Sequence, residues 1–390
     1  MNTDKVRIKR TGLISAIIIL VVAVMIVVNC CIDNENVSEV SYPEVTDETI
    51  TLVAVGDNLL HMPVVNSGKK ADGTYDYSHI FAALQPIFSQ SDIAVIGQET
   101  VFAGKELGYS GYPLFNSPSD MGKTLVNEGF DVVLHASNHV LDKYAKGVES
   151  TLEFWKQYPE ITVLGINESQ EKKDTVNIIE RKGAKLALLN YTYGMNGFLL
   201  PPGKEYLVNV IDEEKIRRDA EFAEENAHFT IAFMHWGTEY STKPDAFQKD
   251  LAVKMCNWGV DLIIGAHPHV IEPVEWIEGE NGQKMLVYYS LGNFVSRQLE
   301  VINLLGGMAD VKLRFNGDMV RIDDYSFIPI VTHYNRAYNE FSVMKLSDYS
   351  DGLGALHGVA AHNGKVTVER WEGMVEKTFD GYDMSHVALN

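Results

Sequence analysis

The chain of 390 residues has few cysteines and too few basic residues to balance its acids. Its three cysteines, Cys30, Cys31 and Cys256, do not make a disulfide framework. Lysine and arginine total 33 against 53 aspartates and glutamates, which gives a net charge of −20. Nucleic-acid binding needs a basic surface that neutralises phosphates, so this composition argues against that class of partner. The same charge disfavours tight electrostatic binding of a long polyanion.

One uncharged hydrophobic run, residues 11–28, is long enough to span a membrane. Basic residues precede the run and acidic residues follow it, which under the positive-inside rule places the first ten residues in the cytoplasm. A cleaved signal peptide is the alternative, but the run is longer than an ordinary signal sequence and no small-residue cleavage site closes it. The sequence therefore predicts a single-pass cell-membrane protein whose folded part is extracytoplasmic.

The segments around this run divide the N-terminal part of the chain. We predict a cytoplasmic basic tail at 1–10, a transmembrane signal anchor at 11–29 and a polar linker at 30–48. Cys30 and Cys31 then lie beside the membrane, where acylation and a disulfide between chains are both open alternatives.

From residue 49 onward, short apolar runs alternate with amphipathic stretches. The apolar runs predict strands near residues 50–55, 93–96, 131–135, 161–165, 185–190, 229–234, 260–264 and 285–289. The amphipathic stretches predict helices at 78–88, 118–128, 145–157, 212–225 and 245–257. This alternation is typical of an α/β layered sheet. Two later runs, 310–315 and 320–327, predict antiparallel strands in a β-rich C-terminal extension, 298–390, that packs on the core.

Five of the predicted strands end in side chains that commonly bind metal ions. The last pair, His267 and His269, flanks Pro268, which stiffens the turn that carries both imidazoles. The other four strand ends carry Asp57, Glu99, Asn138 and His235. Ligand sites of open α/β sheets gather beyond the carboxyl ends of the strands. Carboxylate, amide and imidazole groups together suit Mn, Fe or Zn better than Ca.

The order of these motifs resembles the CapA family of poly-γ-glutamate capsule biosynthesis proteins, a branch of the calcineurin-like metallophosphatases. The resemblance covers roughly residues 49–297 and rests on Gly56-Asp57, Glu99-Thr100, Ser137-Asn138-His139 with Asp142, His235-Trp236-Gly237-Thr238-Glu239-Tyr240, Gly265-Ala266-His267-Pro268-His269 and Ser290-Leu291-Gly292-Asn293-Phe294. It implies a layered calcineurin-like metallophosphatase fold of β-sheets flanked by helices, with the catalytic domain at 49–297.

The resemblance also implies a centre of two divalent metal ions and a role for each residue in it. Asp57 and His269 would hold one ion, Glu99 would bridge the two, and the other ion would be held by Asn138, His235 and His267. His139 is implied as a phosphoryl contact or proton donor, with Asp142 orienting its ring. Supporting or substrate-binding roles are implied for Glu239, Tyr240 and Asn293.

One position departs from the pattern of the wider superfamily. A histidine usually stands two residues after the first aspartate, and this chain has Leu59 there. His61 replaces that histidine only if its loop bends toward the site. We therefore expect the first metal position to bind its ion more weakly than the second.

Two functions remain open at the level of sequence. The first is an extracytoplasmic metal-dependent hydrolase of phosphoesters, or less favourably of amides, in capsule or cell-envelope polymer metabolism. The second is a non-catalytic accessory subunit of a poly-γ-glutamate synthase or exporter, with the membrane and those subunits as partners. A nucleotidase is disfavoured because the chain lacks the length for a further substrate domain.

Overall fold

The computed structural model describes residues 47–389, which form fourteen strands in two sheets. The strands are β1 Glu48–Asn58, β2 Ile93–Gln98, β3 Val132–Leu134, β4 Thr162–Leu164, β5 Asn177–Arg181, β6 Ala184–Thr192, β7 Phe229–His235, β8 Leu262–Ala266, β9 Val274–Glu278, β10 Lys284–Tyr288, β11 Asn293–Val295, β12 Leu305–Phe315, β13 Val320–Tyr334 and β14 Phe341–Lys345. All eight strands predicted between residues 50 and 289 are present.

The α-helices lie between and after these strands. They are α1 Met62–Ser67, α2 Ser78–Phe81, α3 Gln85–Gln90, α4 Asp120–Glu128, α5 Tyr144–Trp155, α6 Gln170–Lys173, α7 Glu213–Asn226, α8 Ala246–Asn257, α9 Asp351–Leu356, α10 Ala360–Asn363 and α11 Val368–Thr378. The prediction of one helix over 78–88 is wrong, because two short helices fill that range. Pro86 stands in the first turn of α3, where its missing N–H costs nothing, and it interrupts a continuous helix.

Both sheets contain a block of parallel strands: the first sheet continues into antiparallel strands at one edge, and the second has an antiparallel strand at each edge. The first runs β14-β13-β12-β1-β2-β3-β4, with β11 also paired to β1, and its strands β1 to β4 are parallel. The second runs β5-β6-β7-β8-β10-β9, with β6, β7, β8 and β10 parallel. Strands β5 and β6 form a hairpin: Lys182 and Gly183 between them both have positive φ, as a two-residue hairpin turn requires.

The strands of the second sheet bury both faces, against different partners. Ile231 and Phe233 of β7 join a core that also contains the residues of the first sheet, so the two sheets pack on each other. Ala232 and Met234 point the opposite way and pack with α7 and α8. Side chains alternate across a strand, so a run without alternation is buried on both sides. This arrangement confirms the predicted α/β fold of sheets flanked by helices.

The predictions for the N-terminal part of the chain lie outside the described residues. This holds for the basic tail, the anchor at 11–29, Cys30, Cys31 and almost all of the linker, whose predicted end overlaps the start of β1 at Glu48. Across residues 47–389, no helix combines the length and the hydropathy that crossing a membrane requires. Residues 298–345 continue into the first sheet as β12, β13 and β14, and α9 to α11 follow them.

Candidate metal centre

The predicted ligands meet where the carboxyl ends of both sheets come together. Asp57 lies near the end of β1, and Glu99 directly follows β2. His235 is the last residue of β7, and His267 directly follows β8. Together with Asn138 and His269 these side chains are at most 4% exposed. Burial of so many polar groups is costly unless partners compensate them, so the cluster points to a function other than packing.

Two glycines allow the backbone to bring these ligands together. A Cβ at Gly56 would lie 1.9 Å from the carbonyl oxygen of Gly292, and a Cβ at Gly265 would lie 2.0 Å from that of Tyr289. Neither contact is tolerable, so each position requires glycine. Gly56 thereby places Asp57 against the neighbouring strand β11, and Gly265 allows β8 to approach the segment that follows β10.

Asp57, Glu99 and His269 form the tightest group, with one potential ligand atom from each lying within 4.8 Å of the others. Oδ2 of Asp57 accepts a hydrogen bond of 3.0 Å from the backbone N–H of His267, which fixes the carboxylate. The resemblance assigns Asp57 and His269 to the first ion and Glu99 to the bridge between the two ions.

The Glu99 carboxylate is the strongest indication that this cluster binds a cation. Both of its oxygens are buried, and neither has a hydrogen-bond partner within the described residues. Burial, followed by the charges of Asp57, Asp142 and Glu239, raises the pKa of Glu99 well above its usual value. Burial also raises the pKa of Asp57 to about 7. A divalent ion between the two carboxylates would supply the compensating charge, so this donor set fits the implied metal.

The second group of ligands surrounds His235. Its Nε2 lies 2.9 Å from Oδ1 of Asn138 and 3.9 Å from Oε1 of Glu99. Ligand atoms that share one ion lie about 3 Å apart, given metal–ligand bonds of about 2.1 Å. The ring of His267 lies 4.9 Å from that of His235, and its Nδ1 is buried without a hydrogen-bond partner among residues 47–389. Asn138, His235 and His267 therefore surround the other side of Glu99.

The imidazoles in this centre are held in the neutral form, which is the form that binds metals. Burial lowers the pKa of His267 to about 3 and that of His269 to about 4, and it lowers the pKa of His235 well below its usual value. Each ring therefore offers a lone pair near neutral pH without first losing a proton.

The turn that carries His267 and His269 is strained. Both residues have positive φ, 102° and 58°, a region that side chains with a Cβ rarely adopt. Asn293 supports the turn: its Oδ1 lies 3.0 Å from Nδ1 of His269, while its Nδ2 donates to the carbonyl oxygen of Asn303. That orientation makes Nδ1 of His269 the donor and leaves Nε2 as the free nitrogen.

His139 and Asp142 form a hydrogen-bonded pair beside the ligands. Nδ1 of His139 lies 2.8 Å from Oδ2 of Asp142, which also accepts the backbone N–H of Phe115 at 2.7 Å. A carboxylate acceptor keeps the proton on Nδ1. Nε2, which lies 4.0 Å from Oε1 of Glu99, is then the nitrogen that faces the centre.

A cavity of about 290 Å³ opens beside His139 and His269. Glu239 and Tyr240, for which we predict a role in the site, line it from the turn after β7. His61 lines it too, but its Nδ1 accepts the backbone N–H of Arg297 at 3.3 Å, and it lies outside the tight group of three ligands. The substitute role of His61 therefore stays a prediction.

Asn196 belongs to the site and carried no signal in the sequence analysis. Its Oδ1 accepts a hydrogen bond of 3.1 Å from Nδ2 of Asn138, and this bond turns Oδ1 of Asn138 toward His235. Asn196 has a φ of 50° in an irregular turn that follows β6. The Gly-Met-Asn-Gly sequence at 194–197 indicates a turn, but nothing in that pattern indicates which distant side chain the turn contacts.

The comparison with protein families gives one match, which covers most of the described core. The family profile described as bacterial capsule synthesis protein PGA_cap matches residues 51–298. The PGA biosynthesis protein CapA of Bacillus subtilis strain 168 is 30% identical over 267 residues, 65% of this chain and 65% of that protein. The capsule biosynthesis protein CapA of Bacillus anthracis is 26% identical over 316 residues, 78% of this chain and 74% of that protein. The alignment thus spans just under two thirds of the length of the B. subtilis relative.

Solved structures with a similar arrangement are more distant. NAD nucleotidase NadN of Haemophilus influenzae aligns with a TM-score of 0.47 and 12% identity, covering 88% of this chain and 64% of that one. The calcineurin-like phosphoesterase YfkN of Bacillus subtilis aligns with a TM-score of 0.41 and 14% identity, covering 86% of this chain and 98% of that one. Similarity at this level carries no inference about the substrate of this chain.

Proposed function

The chain belongs to the PGA_cap family of bacterial capsule synthesis proteins, and we propose that it is a metal-dependent phosphoesterase of the calcineurin-like type. Its biological setting in this proposal is the synthesis of capsule poly-γ-glutamate or another cell-envelope polymer. The observation that carries the proposal is the Glu99 carboxylate, which is buried between two sets of metal-binding side chains and has no hydrogen-bond partner in the described part of the chain. A protein that used this fold only for packing has no reason to retain so costly a group.

Two sets of residues would hold two divalent ions, Mn, Fe or Zn, on either side of Glu99. Asp57 and His269 form one set, and Asn138, His235 and His267 form the other. Bound there, the ions would supply positive charge that polarises a phosphoryl group and stabilises the charge that develops on it during hydrolysis.

His139 supplies the proton transfer in this mechanism. Hydrolysis of a phosphodiester forms a bond between the oxygen of water and phosphorus and breaks the bond between phosphorus and the leaving oxygen. The proton that water loses is balanced by the proton that the leaving oxygen gains. Nε2 of His139 faces the centre. In its doubly protonated form the ring donates the Nε2 proton to the leaving oxygen and then takes up the proton that water loses, while the Asp142 carboxylate on Nδ1 stabilises the charged ring.

Membrane anchoring and partners belong to the same proposal. We place the anchor at 11–29, the catalytic domain outside the cell membrane, and subunits of polyglutamate synthesis or export beside it. The basic residues before the hydrophobic run and the acids after it support this orientation.

The alternative is an accessory subunit that uses the same fold as a binding platform. One observation favours it: buried Leu59 stands where the wider superfamily has a histidine, and His61 remains outside the tight ligand group. On this alternative the metals stabilise the fold and no bond is broken.

Comparing His139→Ala with His267→Ala decides between the two functions. We expect the purified full-length chain to contain a divalent transition metal and to hydrolyse bis(p-nitrophenyl) phosphate with added Mn. His139→Ala should keep the metal and lose the hydrolysis, whereas His267→Ala should lose both. A His139→Ala protein that is inactive yet fully restores capsule formation in cells would favour the platform.

A further inference from the structure

The cavity beside the metal centre has a composition that indicates which substrates it accepts. Its lining includes His61, His139, His269, Tyr112, Phe198 and Tyr240. Within the described part of the chain, that lining contains no lysine and no arginine, and Glu239 is its one carboxylate. Sites for dianionic phosphates normally place cationic side chains around the phosphoryl oxygens. Apart from the proposed metal ions, this cavity offers aromatic surface and one negatively charged side chain instead.

Glu239 lies close enough to the centre for its charge to matter. It lines the same cavity as His139 and His269, which lie in and beside the metal-binding cluster. A ligand beside the metals is therefore within reach of the field of Glu239. A group with two negative charges is repelled more strongly than a group with one.

Tyr240 is exposed, yet its backbone is held in an unfavourable conformation. Its φ is 65°, and its backbone N–H donates to the carbonyl oxygen of Pro268 at 2.8 Å. Its side chain is 56% exposed, so burial of the ring does not offset the strain. The ring lies 6.0 Å from that of His269. Strain that persists without a packing reason is typical of residues held for a functional contact.

The turn that carries Tyr240 is also anchored to a helix. Thr238 donates its hydroxyl to Asp245, and Asp245 caps α8 through a reciprocal pair of hydrogen bonds with Gln248. The ring of Tyr240 is thus presented by a fixed backbone, which lowers the entropy cost of stacking a ligand on it. On the rim of the same cavity, the Tyr112 side chain is 76% exposed and offers a second aromatic face.

We propose that this cavity selects singly charged phosphodiesters that carry a flat ring next to the phosphorus, and that Glu239 and Tyr240 determine this specificity. The ring stacks on Tyr240, and Glu239 disfavours the second charge of a phosphomonoester. The inference rests on the proposed function and narrows its substrate class. It also means that the monoester product binds less well than the diester substrate, which favours product release.

Binding of two probes to the Mn-loaded full-length chain tests this specificity without requiring turnover. Calorimetry should show that diphenyl phosphate, a monoanion, binds more tightly than phenyl phosphate, a dianion. Glu239→Gln should strengthen phenyl phosphate binding and so reduce the ratio of the two affinities at least about threefold. Tyr240→Ala should weaken diphenyl phosphate binding about three- to tenfold, and Tyr240→Phe should recover most of that loss.

Matched controls apply the same chemical changes away from the cavity. Glu376→Gln removes an exposed carboxylate from α11, and Phe222→Ala removes an exposed ring from α7, so neither should alter binding of either probe. Circular dichroism melts confirm that every variant is folded. The specificity is refuted if phenyl phosphate binds the wild type as tightly as diphenyl phosphate, or if the site variants behave like the controls. Hydrolysis of bis(p-nitrophenyl) phosphate in the same samples is a separate readout: selective binding without turnover leaves the specificity standing and refutes the proposed hydrolase.

Discussion

Replacing Glu99 with glutamine should change stability in opposite directions without metal and with metal. In the metal-free protein the raised pKa of Glu99 means that the folded state holds its proton more tightly than the unfolded state does. The folded protein therefore loses stability as the pH rises from 4.5, the ordinary pKa of a glutamate, to the higher pKa of Glu99 in the folded state. Glutamine has no proton to lose, so Glu99→Gln should be more stable than the wild type in chelator at pH 8.

The magnitudes are measurable by thermal melting. A buried polar group without a partner costs about 1–3 kcal/mol. A folded unit of about 340 residues has an unfolding entropy of about 0.7 kcal/mol per degree, so this difference corresponds to about 1.5–4 °C in Tm. Added Mn at about a thousand times its Kd stabilises the wild type by about 4.1 kcal/mol, or about 6 °C. Glu99→Gln lacks the bridging carboxylate, so Mn should raise its Tm only slightly. With Mn the wild type should therefore melt above Glu99→Gln, whereas without metal it melts below.

Glu272 provides the matched control for this prediction. It is fully buried, one of its oxygens has no partner in the described structure, and burial raises its pKa to about 8. It is outside the predicted ligand set, so Glu272→Gln should also stabilise the metal-free protein but keep the full response to Mn. The reasoning is refuted if Glu99→Gln melts below the wild type in chelator, or if both proteins gain equally from Mn.

Three further predictions address the residues around the ions. Mn affinity should rise at least about tenfold per pH unit up to pH 7, because Asp57 with its pKa of about 7 and Glu99 with its raised pKa must each lose a proton to bind, whereas the imidazoles are already neutral. Calorimetry that shows constant affinity from pH 5.5 to 7.5 would contradict this. Asp142→Asn should keep the metals and lower kcat at least about tenfold, because His139 loses its charged partner; an unchanged rate would remove Asp142 from the mechanism. Asn196→Ala should weaken Mn binding about tenfold without lowering the metal-free Tm by more than a few degrees, since it frees the amide of Asn138; loss of folding instead would make its role structural.

The sequence predicts the ligands at strand ends better than it predicts their surroundings. Asp57 and His235 each close an apolar run, and a parallel sheet brings such ends to one edge. The length of an apolar run and the residue that ends it are local properties of the sequence, so they can be identified without the structure. The alternation of apolar and amphipathic stretches is local in the same sense, and it is sufficient to predict the α/β architecture.

Residues that act through distant contacts were not predictable. Asn196 contacts Asn138 across 58 positions of sequence, and its own turn fits many folds equally well. The strands β9 and β14 are harder to predict than the equally short β8 and β10, because neither contains a run of buried residues. The strain at Tyr240 is likewise invisible in sequence, since positive φ at a tyrosine has no residue signature.

A Mn titration of the chelator-treated full-length chain tests the central claim most directly, with bound metal per chain and hydrolysis of bis(p-nitrophenyl) phosphate measured on the same samples. The buried cluster of metal-binding side chains around Glu99 predicts that hydrolysis is absent without metal and rises as the ions bind. It also predicts that His267→Ala shifts the metal-binding curve and the hydrolysis curve together to higher Mn concentration. Saturable metal binding with no hydrolysis at any occupancy would contradict the catalytic account, and an absence of saturable binding would contradict the metal centre itself.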